Sequence, residues 1–469
     1  GPGSFTGVRI GIAAPRALAL AWAVPLHGFS APSIIAAQAA LSDHQGGPIV
    51  VTITGGHGDG WMRSGMEYDL FMPYPGFPEC RVDGGDECRR KVREVLRAGA
   101  DVIKIETPGT GDLSRKMGAD PAMAKDGMGV SYLALNAGKR SITLNLKHPK
   151  GREAFTKLVA TSDVVVENFR PGVMERLGLG YEALKKAKPD IIYCAISGFG
   201  QDGPLKFNPA YDQIIQGLSG VMSVTGDEKS APLRVGYPVA DTMGGITAAF
   251  AISSALFKRE RAGEGEFIDV SMLESSLVAM GWAVSNWLIA GVRPAPMGNE
   301  NMTASPSGTF KTGKGLLNIA ANKQEQFETL CKLIGREDLI AHPDYAGRED
   351  RKRNRFALNA ELETALAKKS AAEWSVLLNK AGVPAGEVLD VPSVLEHPQI
   401  VERKLLQTFD AAPGVDRAVR VVRSGFRLKS GDPEVSTPPP ILGADTKDLL
   451  SELGYSNENI EALAREEAI

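Results

Sequence analysis

Apolar residues between positions 101 and 270 fall into short continuous runs that alternate with stretches of helical spacing. The runs of strand length are Val102–Ile105, Ile142–Leu146, Val164–Val166 and Ile191–Ile196. The helical stretches between them include Gly151–Val159 and Gly180–Lys186. Continuous apolar strands that alternate with helices are typical of a parallel sheet covered on both faces. We therefore predict an α/β, Rossmann-like large domain built around such a sheet.

The loops after three of these predicted strands are the places where a ligand is expected. Parallel α/β sheets bind ligands outside the carboxyl ends of their strands. The loops in question are Glu106–Arg115, Glu167–Arg176 and Ser197–Pro204. The binding residues are therefore sought there first.

The rest of the chain divides into smaller pieces. A smaller α+β domain is predicted over 295–405, with strands at Gly308–Thr312 and Leu316–Ala320 and helices at about 323–334, 359–368 and 371–381. The tail has a predicted strand at Ala418–Val422 and a closing helix near 456–466. The predicted division is therefore a composite N-terminal region at 1–100, a large domain at 101–294, a small domain at 295–405 and a C-terminal segment at 406–469.

Composition narrows the function classes. With 469 residues, 43% hydrophobic and 23% charged, the chain is long enough for two or more folded domains. A formal net charge of −3 gives no general attraction to nucleic acid or to an anionic membrane, so no such partner is expected. No apolar run approaches a membrane span and no signal peptide is recognised, so a cytoplasmic protein is expected. The four scattered cysteines are expected to be ordinary thiols.

The first hundred residues differ in character from the rest. Residues 1–46 resemble a fragment of the accessory protein of tRNA threonylcarbamoyladenosine synthesis. No such activity is expected, because the strand before the glycine-rich loop is missing and Pro15 interrupts the helix. Residues 48–106 resemble an internal piece of the metal-dependent amidohydrolases. His57 and Asp59 are too few to make a metal site and the other histidines form no cluster, so no metal is expected.

Asp241 is the acidic residue that local sequence singles out. It follows the apolar segment Val235–Ala240 and precedes Gly244, Gly245 and a long helical pattern. One interpretation is a helix N-cap whose carboxylate accepts the amide of Met243 or Gly244. The other is a nucleophile beside glycines that admit a bulky acyl group and whose amides hold an oxyanion. The two interpretations are compatible.

Seven segments in one order connect this residue with a known family. They lie at 101–112, 138–147, 165–178, 197–204, 209–247, 263–272 and 438–443. Together they resemble the class III CoA-transferases, the group that contains formyl-CoA transferase, carnitine CoA-transferase and the related alpha-methylacyl-CoA racemases. The resemblance covers about 100–469. It implies a tail that packs on the large domain and an interlocked homodimer in which each chain threads the other.

The same resemblance assigns roles to individual residues. It implies that Asp241 is the catalytic nucleophile and that Asp212, where formyl-CoA transferase carries a glutamate, is a second catalytic acid. For Asp212 a helix N-cap ahead of Gln213–Leu218 is an equal alternative. The implied coenzyme A contacts are Leu144, Asn145, Leu146, Lys147, Asn168, Phe169, Arg170, Arg176, Pro209, Ala210 and Tyr211. For Lys147 and Arg176 the alternative is an ordinary solvated charge.

The sequence departs from the family in three places. The strand, Ala-Gly-Pro turn and helix that open the family are absent before residue 101, so the helix at 87–98 is expected to replace the lost helix and nothing to replace the strand. Thr107 stands where formyl-CoA transferase has an arginine. Residues 298–301 lie where the family places a glycine-rich loop over the active site, but lack its glycine run.

The function implied is the transfer of CoA from an acyl-CoA donor, with succinyl-CoA favoured, to a carboxylic acid acceptor through an aspartyl-CoA thioester. Neither a metal nor a redox cofactor is required. An acyl-CoA racemase is the alternative on the same fold, but racemases carry a histidine where this chain has Tyr211. An inactive fusion chain that lacks part of the CoA site is the alternative of a different class.

Overall fold

A computed structural model describes residues 102–429, 432, 435 and 437–469, and the backbone of residues 80–83. These residues form two compact units. The first contains the described residues up to Ser219 together with Tyr237–Ser285 and Leu405–Ile469, and the second contains Gly220–Gly236 and Asn286–Lys404. The tail is therefore part of the first unit, and the short segment 220–236 is part of the second.

A six-stranded parallel sheet forms the centre of the first unit. Its strands are β1 (Cys80–Asp83), β2 (Val102–Glu106), β3 (Arg140–Thr143), β4 (Val164–Glu167), β5 (Ile192–Ser197) and β6 (Glu266–Ser271). The strands lie in the order β3-β2-β1-β4-β5-β6, and every neighbouring pair is parallel. This pairing confirms the predicted parallel sheet. Strands β2, β4 and β5 consist entirely of buried residues, as a sheet covered on both faces requires.

The central strand of this sheet corrects one expectation. No segment was expected to replace the strand that opens the family, but Cys80–Asp83 pairs with β2 on one side and with β4 on the other. Without it, β2 and β4 would each lack a row of hydrogen-bond partners in the middle of the sheet. The Cys-Arg-Val-Asp sequence of this strand has only four residues and no apolar run, which is why its pattern gave no signal.

Helices connect and cover the strands. Between residues 102 and 290 they are Pro121–Lys125, Val130–Asn136, Pro149–Ala160, Val173–Arg176, Tyr181–Ala187, Asp212–Leu218, Val221–Val224, Val239–Ala262, Met272–Ala279 and Trp282–Ala290, and a 3-10 turn occupies Leu113–Lys116. The predicted helices at Gly151–Val159 and Gly180–Lys186 are confirmed within two residues at each end.

Val239–Ala262, called the long helix below, packs on β5 and β6. Its buried face consists mostly of small residues, among them Gly244, Gly245, Ala248 and Ala249, which let the helix lie close to the sheet. Among the described residues, this helix alone is long and apolar enough to cross a membrane by length and composition. Half of its most apolar window is buried inside the protein, and a core helix passes the same test.

The second unit has its own core. Its antiparallel sheet contains β7 (Ser307–Lys311), β8 (Leu316–Ala320) and β9 (Ala385–Glu387). Its helices are Gln324–Ile334, Arg348–Arg353, Arg355–Leu366, Ala371–Lys380, Val391–Glu396 and Pro398–Glu402, with a 3-10 turn at Glu337–Leu339. The thiol of Cys331 is buried in this core, and burial raises its pKa to about 12, which disfavours the reactive thiolate.

The tail returns to the edge strand β3. It contributes the strand pair β10 (Leu406–Phe409) and β11 (Val419–Val422) and the helices Thr446–Glu452 and Asn457–Arg465. Ser141 of β3 donates its backbone amide to the Asp445 carboxylate at 2.7 Å and accepts the Asp445 amide at 2.9 Å. Apolar residues of both tail helices join the core below the sheet.

A buried ion pair joins β2 to this tail. The Arg115 guanidinium donates to both carboxylate oxygens of Glu106 at 2.8 and 2.7 Å and to the Tyr132 hydroxyl at 2.7 Å. The Tyr132 hydroxyl in turn donates to the Pro440 carbonyl at 2.8 Å, and the Ser141 hydroxyl donates to Glu106 at 2.8 Å. Both charged groups are almost fully buried, so each depends on the other for its solvation.

Replacement of Arg115 by methionine should destabilise the first unit by about 3–5 kcal/mol at pH 7, because it leaves the Glu106 carboxylate buried without its partner. Burial alone would raise the pKa of Glu106, but the hydrogen bond from Arg115 and the charge of Lys104 together hold it below its usual 4.5. The stabilisation is therefore present above about pH 4.5 and is lost as the pH falls through the folded-state pKa.

Urea unfolding followed by circular dichroism at pH 7 and at pH 4 measures this effect. The matched control is Arg417→Met, which removes an exposed arginine beside Asp120 and should leave the unfolding midpoint unchanged. An equal midpoint for Arg115→Met and Arg417→Met would refute the importance of the buried pair.

Candidate active site

The residues with predicted binding roles follow three strands of the sheet. Residues 144–147 come directly after β3, residues 168–170 come after β4, and residues 198–212 come after β5. Because all strands are parallel, these loops lie at one edge of the sheet. Strands β3 and β4 are separated by β2 and β1, which places their loops about 14 Å apart at roughly 4.8 Å for each strand spacing. A ligand that touches both must be extended.

The loop after β3 is held by the end of the chain. The Asn145 amide donates to the Ala468 carbonyl at 2.9 Å, and the Asn145 side chain donates to the Glu467 carbonyl at 3.1 Å. The Leu144 side chain is only 2% exposed and belongs to the core, so its backbone is what faces the loop. Leu146 is half-buried and Lys147 is exposed.

The loop after β4 lies at the position where the strand order reverses, between β1 and β4. The Asn168 side chain donates to the Ile196 carbonyl of β5 at 2.7 Å, which ties the two loops together. Phe169 packs partly against the core, whereas Arg170 and Arg176 are exposed. No ion pair with another described residue is found for Lys147, Arg170 or Arg176, so their charges are available to an anionic ligand.

The loop after β5 is folded back on the segment that leads to Asp212. Asp269 of β6 accepts the Gln201 amide at 2.9 Å, and burial raises the pKa of this carboxyl. A side chain at Gly198 would place its Cβ 2.3 Å from the Cβ of Ala210, so only glycine fits there. Pro209 is exposed and the Tyr211 side chain is 76% exposed, which leaves both free to contact a ligand.

Asp212 is only 7% exposed and is bound by protein donors at both oxygens. Its Oδ2 accepts the Gln216 side-chain amide at 2.7 Å, and its Oδ1 accepts the backbone amide of Ala240 at 2.8 Å. The expected N-cap role within its own helix is wrong, because Asp212 is the first helical residue and Tyr211 is the N-cap. Its carboxylate instead receives an amide of the long helix, 28 residues away.

Asp241 lies in the first turn of the long helix and is half-buried. The helix begins at Val239, so Asp241 is its third residue and the expected N-cap role is wrong. The expectation that the amides of Gly244 and Gly245 hold an oxyanion also fails. These glycines are the sixth and seventh helical residues, beyond the first three, whose amides lack a partner within the helix.

The structure therefore joins Asp212 by a direct hydrogen bond to Ala240, the residue before Asp241. Sequence reasoning missed Gln216 and Gly198. A signal existed for Gln216, since Asp and Gln at positions i and i+4 of a helix face each other. No local signal existed for Gly198, because glycine is required there by the side chain of Ala210, which lies twelve residues later in the loop.

His57 and Asp59, which are too few to make a metal site, lie outside the described residues. Within the part of the chain that the structure describes, no group of three or more histidine, cysteine or acidic side chains is arranged to hold a metal ion. The loop at 298–301 belongs to the second unit, where the Gly298 amide donates to the Gly226 carbonyl at 2.7 Å.

Comparison with known proteins identifies the family. The family model for CoA-transferase family III matches residues 97–446. The chain belongs to this family. The family III resemblance predicted from the seven sequence segments is thereby confirmed, and with it the class of enzyme.

Several curated relatives are named CoA-transferases. An acetyl-CoA:oxalate CoA-transferase from Acetobacter aceti is 42% identical over 309 residues, which are 66% of this chain and 78% of the relative. The mouse succinyl-CoA:glutarate CoA-transferase is 34% identical over 366 residues, 78% of this chain and 83% of the relative. The succinyl-CoA:mesaconate CoA-transferase of Haloarcula hispanica is 35% identical over 372 residues, 76% of this chain and 90% of the relative.

A solved structure agrees with the α/β fold. The crystal structure of a CAIB/BAIF family protein from Brucella suis matches with a TM-score of 0.70 and 32% identity, and the match covers 80% of this chain and 98% of that chain. Residues 1–96 match a second family model, that of tRNA N6-adenosine threonylcarbamoyltransferase. The predicted resemblance of residues 1–46 to this family is thereby confirmed, but the model extends to residue 96 and so covers most of the segment for which an amidohydrolase resemblance was expected.

Gly198→Ala should lower kcat/KM for CoA transfer by about 10-fold or more, because the new methyl group must push Ala210 and the Asp212 segment aside. The double variant Gly198→Ala with Ala210→Gly removes the colliding Cβ and should recover most of the activity. Steady-state kinetics measures both.

Gly425→Ala is the control for this series, since a Cβ at Gly425 meets no atom within 4 Å. It should behave as the unchanged protein. Failure of the double variant to recover activity would show that the close approach of Gly198 to Ala210 is unimportant.

Proposed function

We propose that this protein transfers CoA from an acyl-CoA to a carboxylic acid, with Asp241 as the nucleophile. The observation that supports this most directly is the position of Asp241, a half-buried carboxylate in the first turn of a 24-residue helix. The positive end of a helix dipole favours the carboxylate over its neutral acid. Family III membership, and three relatives named as CoA-transferases, agree with the proposal.

The proposed chemistry balances without a metal or redox cofactor. The Asp241 carboxylate attacks the thioester carbonyl of the donor, and the C–S bond breaks to give a mixed anhydride and the CoA thiolate. The thiolate then attacks the aspartyl carbonyl, which releases the donor acid and leaves an aspartyl-CoA thioester. The acceptor carboxylate then attacks the aspartyl-CoA thioester, which releases the CoA thiolate and forms a second mixed anhydride. The thiolate attacks the acyl carbonyl of the acceptor, which gives the new acyl-CoA and restores the Asp241 carboxylate.

Coenzyme A is proposed to lie along the carboxyl edge of the sheet. The exposed cations Lys147, Arg170 and Arg176 supply charge for its phosphates, and residues 144–146 offer backbone groups to the adenine. Asn168 and Phe169 form the neighbouring wall. Pro209, Ala210 and Tyr211 are proposed to close over the pantetheine arm.

The proposed substrates are succinyl-CoA as donor and a dicarboxylic acid as acceptor. Oxalate, glutarate and mesaconate are the acceptors named for the relatives above, and all three are dicarboxylic acids. Two of these relatives are named for succinyl-CoA and one for acetyl-CoA, so both donors belong in the first assay.

Treatment with succinyl-CoA should give a covalent CoA adduct on Asp241, detected by peptide mass spectrometry after acid quench. Asp241→Asn should give no adduct and should lower kcat by about 10³-fold or more, because the amide is not a nucleophile. Asp448→Asn, which changes an exposed aspartate of the tail, should leave both the adduct and kcat intact.

The same assay separates the alternatives. Deuterium incorporation at the α carbon of the acyl group without an adduct would favour a racemase over a transferase. Failure to bind CoA at all would favour an inactive fusion chain.

We further propose a Rossmann-like fold for the first unit and a homodimeric assembly. The strand order β3-β2-β1-β4-β5-β6 supports the first. The second is supported by exposed apolar side chains on consecutive helices, namely Val278, Trp282, Trp287, Leu288 and Ile289. Val278 is 77% exposed and Leu288 is 74% exposed, and several large apolar side chains exposed on neighbouring helices are typical of an interface.

Leu288→Glu should shift the protein from dimer to monomer in sedimentation velocity, because it buries a charge in the proposed interface. Val376→Glu places the same charge at an exposed apolar position of another helix and should leave the sedimentation coefficient unchanged. A monomeric unchanged protein would rule out the proposed assembly.

A further inference from the structure

The Asp212–Leu218 helix carries a fully buried glutamine, Gln216, to which the proposed chemistry gives no role. Its side-chain nitrogen donates to Oδ2 of Asp212 at 2.7 Å and to the backbone carbonyl of Tyr237 at 3.3 Å. A side-chain amide nitrogen carries two hydrogens, so one group serves both acceptors. Gln216 therefore links the Asp212 carboxylate to the chain just before the long helix.

The start of the long helix needs such support from outside. Its N-cap residue is Pro238, whose side chain makes no capping hydrogen bond. The fourth helical amide, that of Thr242, donates to the Pro238 carbonyl at 2.9 Å, but the first three helical amides have no partner within the helix. The second of these amides, that of Ala240, donates to Oδ1 of Asp212 at 2.8 Å. Asp212 thus performs from another helix the task that an N-cap side chain performs within one.

The two contacts fall on either side of Pro238. Gln216 holds the Tyr237 carbonyl and Asp212 holds the Ala240 amide, so the helix start is fixed at two points. The next residue after Ala240 is Asp241. Asp241 is the third residue of the helix, so its carboxylate moves with the helix start. The hydrogen bonds to the Tyr237 carbonyl and from the Ala240 amide therefore help to set its position.

We propose that Gln216 is a positioning residue that acts through Asp212 to fix the Asp241 carboxylate for attack on the thioester. The inference rests on the proposed nucleophilic role of Asp241. Gln216 has no exposed surface and does not reach substrate itself. Loss of its N–H donors removes one hydrogen bond to the Asp212 carboxylate and the contact to the Tyr237 carbonyl, so the start of the long helix is held less firmly.

Gln216→Met tests the proposal, because methionine keeps the length of the side chain and removes both N–H donors. The rate of adduct formation on Asp241 should fall about 10- to 100-fold in rapid-quench mass spectrometry, since small misplacements of reacting groups have effects of this size. The KM for succinyl-CoA should stay within about 3-fold, because Gln216 holds the helix start and not the ligand.

Gln213→Met is the matched control. It makes the same substitution on the same helix at an exposed position, and it should leave the adduct rate, kcat and KM unchanged.

The pH dependence of kcat in Gln216→Glu is a further test, because a merely structural role of Gln216 would not change it. A neutral glutamic acid donates its O–H to Asp212, whereas an ionised one repels it. The kcat of Gln216→Glu relative to the unchanged protein should therefore rise as the pH is lowered from about 8 to about 5.5, because nearby carboxylates raise one another's pKa. This variant also serves if Gln216→Met does not fold.

The outcomes are distinguishable. If the unchanged protein forms no adduct on Asp241, the proposed function fails. If it forms the adduct and Gln216→Met forms it equally fast, only the positioning role is overturned. A folded Gln216→Met with an unchanged kcat but a raised KM, or a relative kcat of Gln216→Glu that does not change with pH, overturns it as well.

Discussion

The buried ion pair between Glu106 and Arg115 is the constraint on which the first unit depends. A carboxylate at the carboxyl end of a buried strand is costly unless donors surround it, and here they come from the turn after β2, from β3 and, through Tyr132, from Pro440 of the tail. The tail is therefore bound to the sheet by the same group that ends β2. Tail residues also accept hydrogen bonds from Asn145, so the loop after β3 is held in part by the tail.

Parallel strand direction decides where chemistry is possible. All six strands end at one edge, so the loops after β3, β4 and β5 lie along it although residues 144 and 212 are 68 positions apart in sequence. The long helix adds a second element. Its small buried residues lie against β5 and β6, and its N-terminal turn carries Asp241. The fold thus combines exposed cations along the sheet edge with a carboxylate at the positive end of a helix.

The sequence predicts the strands of the large sheet well where the apolar runs are long, and less well elsewhere. Val164–Glu167 and Ile192–Ser197 match their predicted runs within one residue. The strand predicted at Ile142–Leu146 instead spans Arg140–Thr143, because Asn145 leaves the sheet to bond Ala468, a contact that no local pattern contains. Cys80–Asp83 had no apolar run to reveal it. The resemblance named Asp212 and Asp241, but the link between them runs through Gln216 and Ala240 and depends on helix packing.

Asp212 and Asp241 show why residue type alone does not assign a role. Both are aspartates at the start of a helix, and local sequence allows each of them to be a cap or a catalytic group. Asp212 is almost fully buried with a donor at each oxygen, so moving it would break its hydrogen bonds from the Ala240 amide and the Gln216 side chain. Asp241 is half-buried, in the helical turn that Asp212 caps. Asp212 thus holds the start of the helix that carries Asp241, so the two aspartates have different surroundings although local sequence treats them alike.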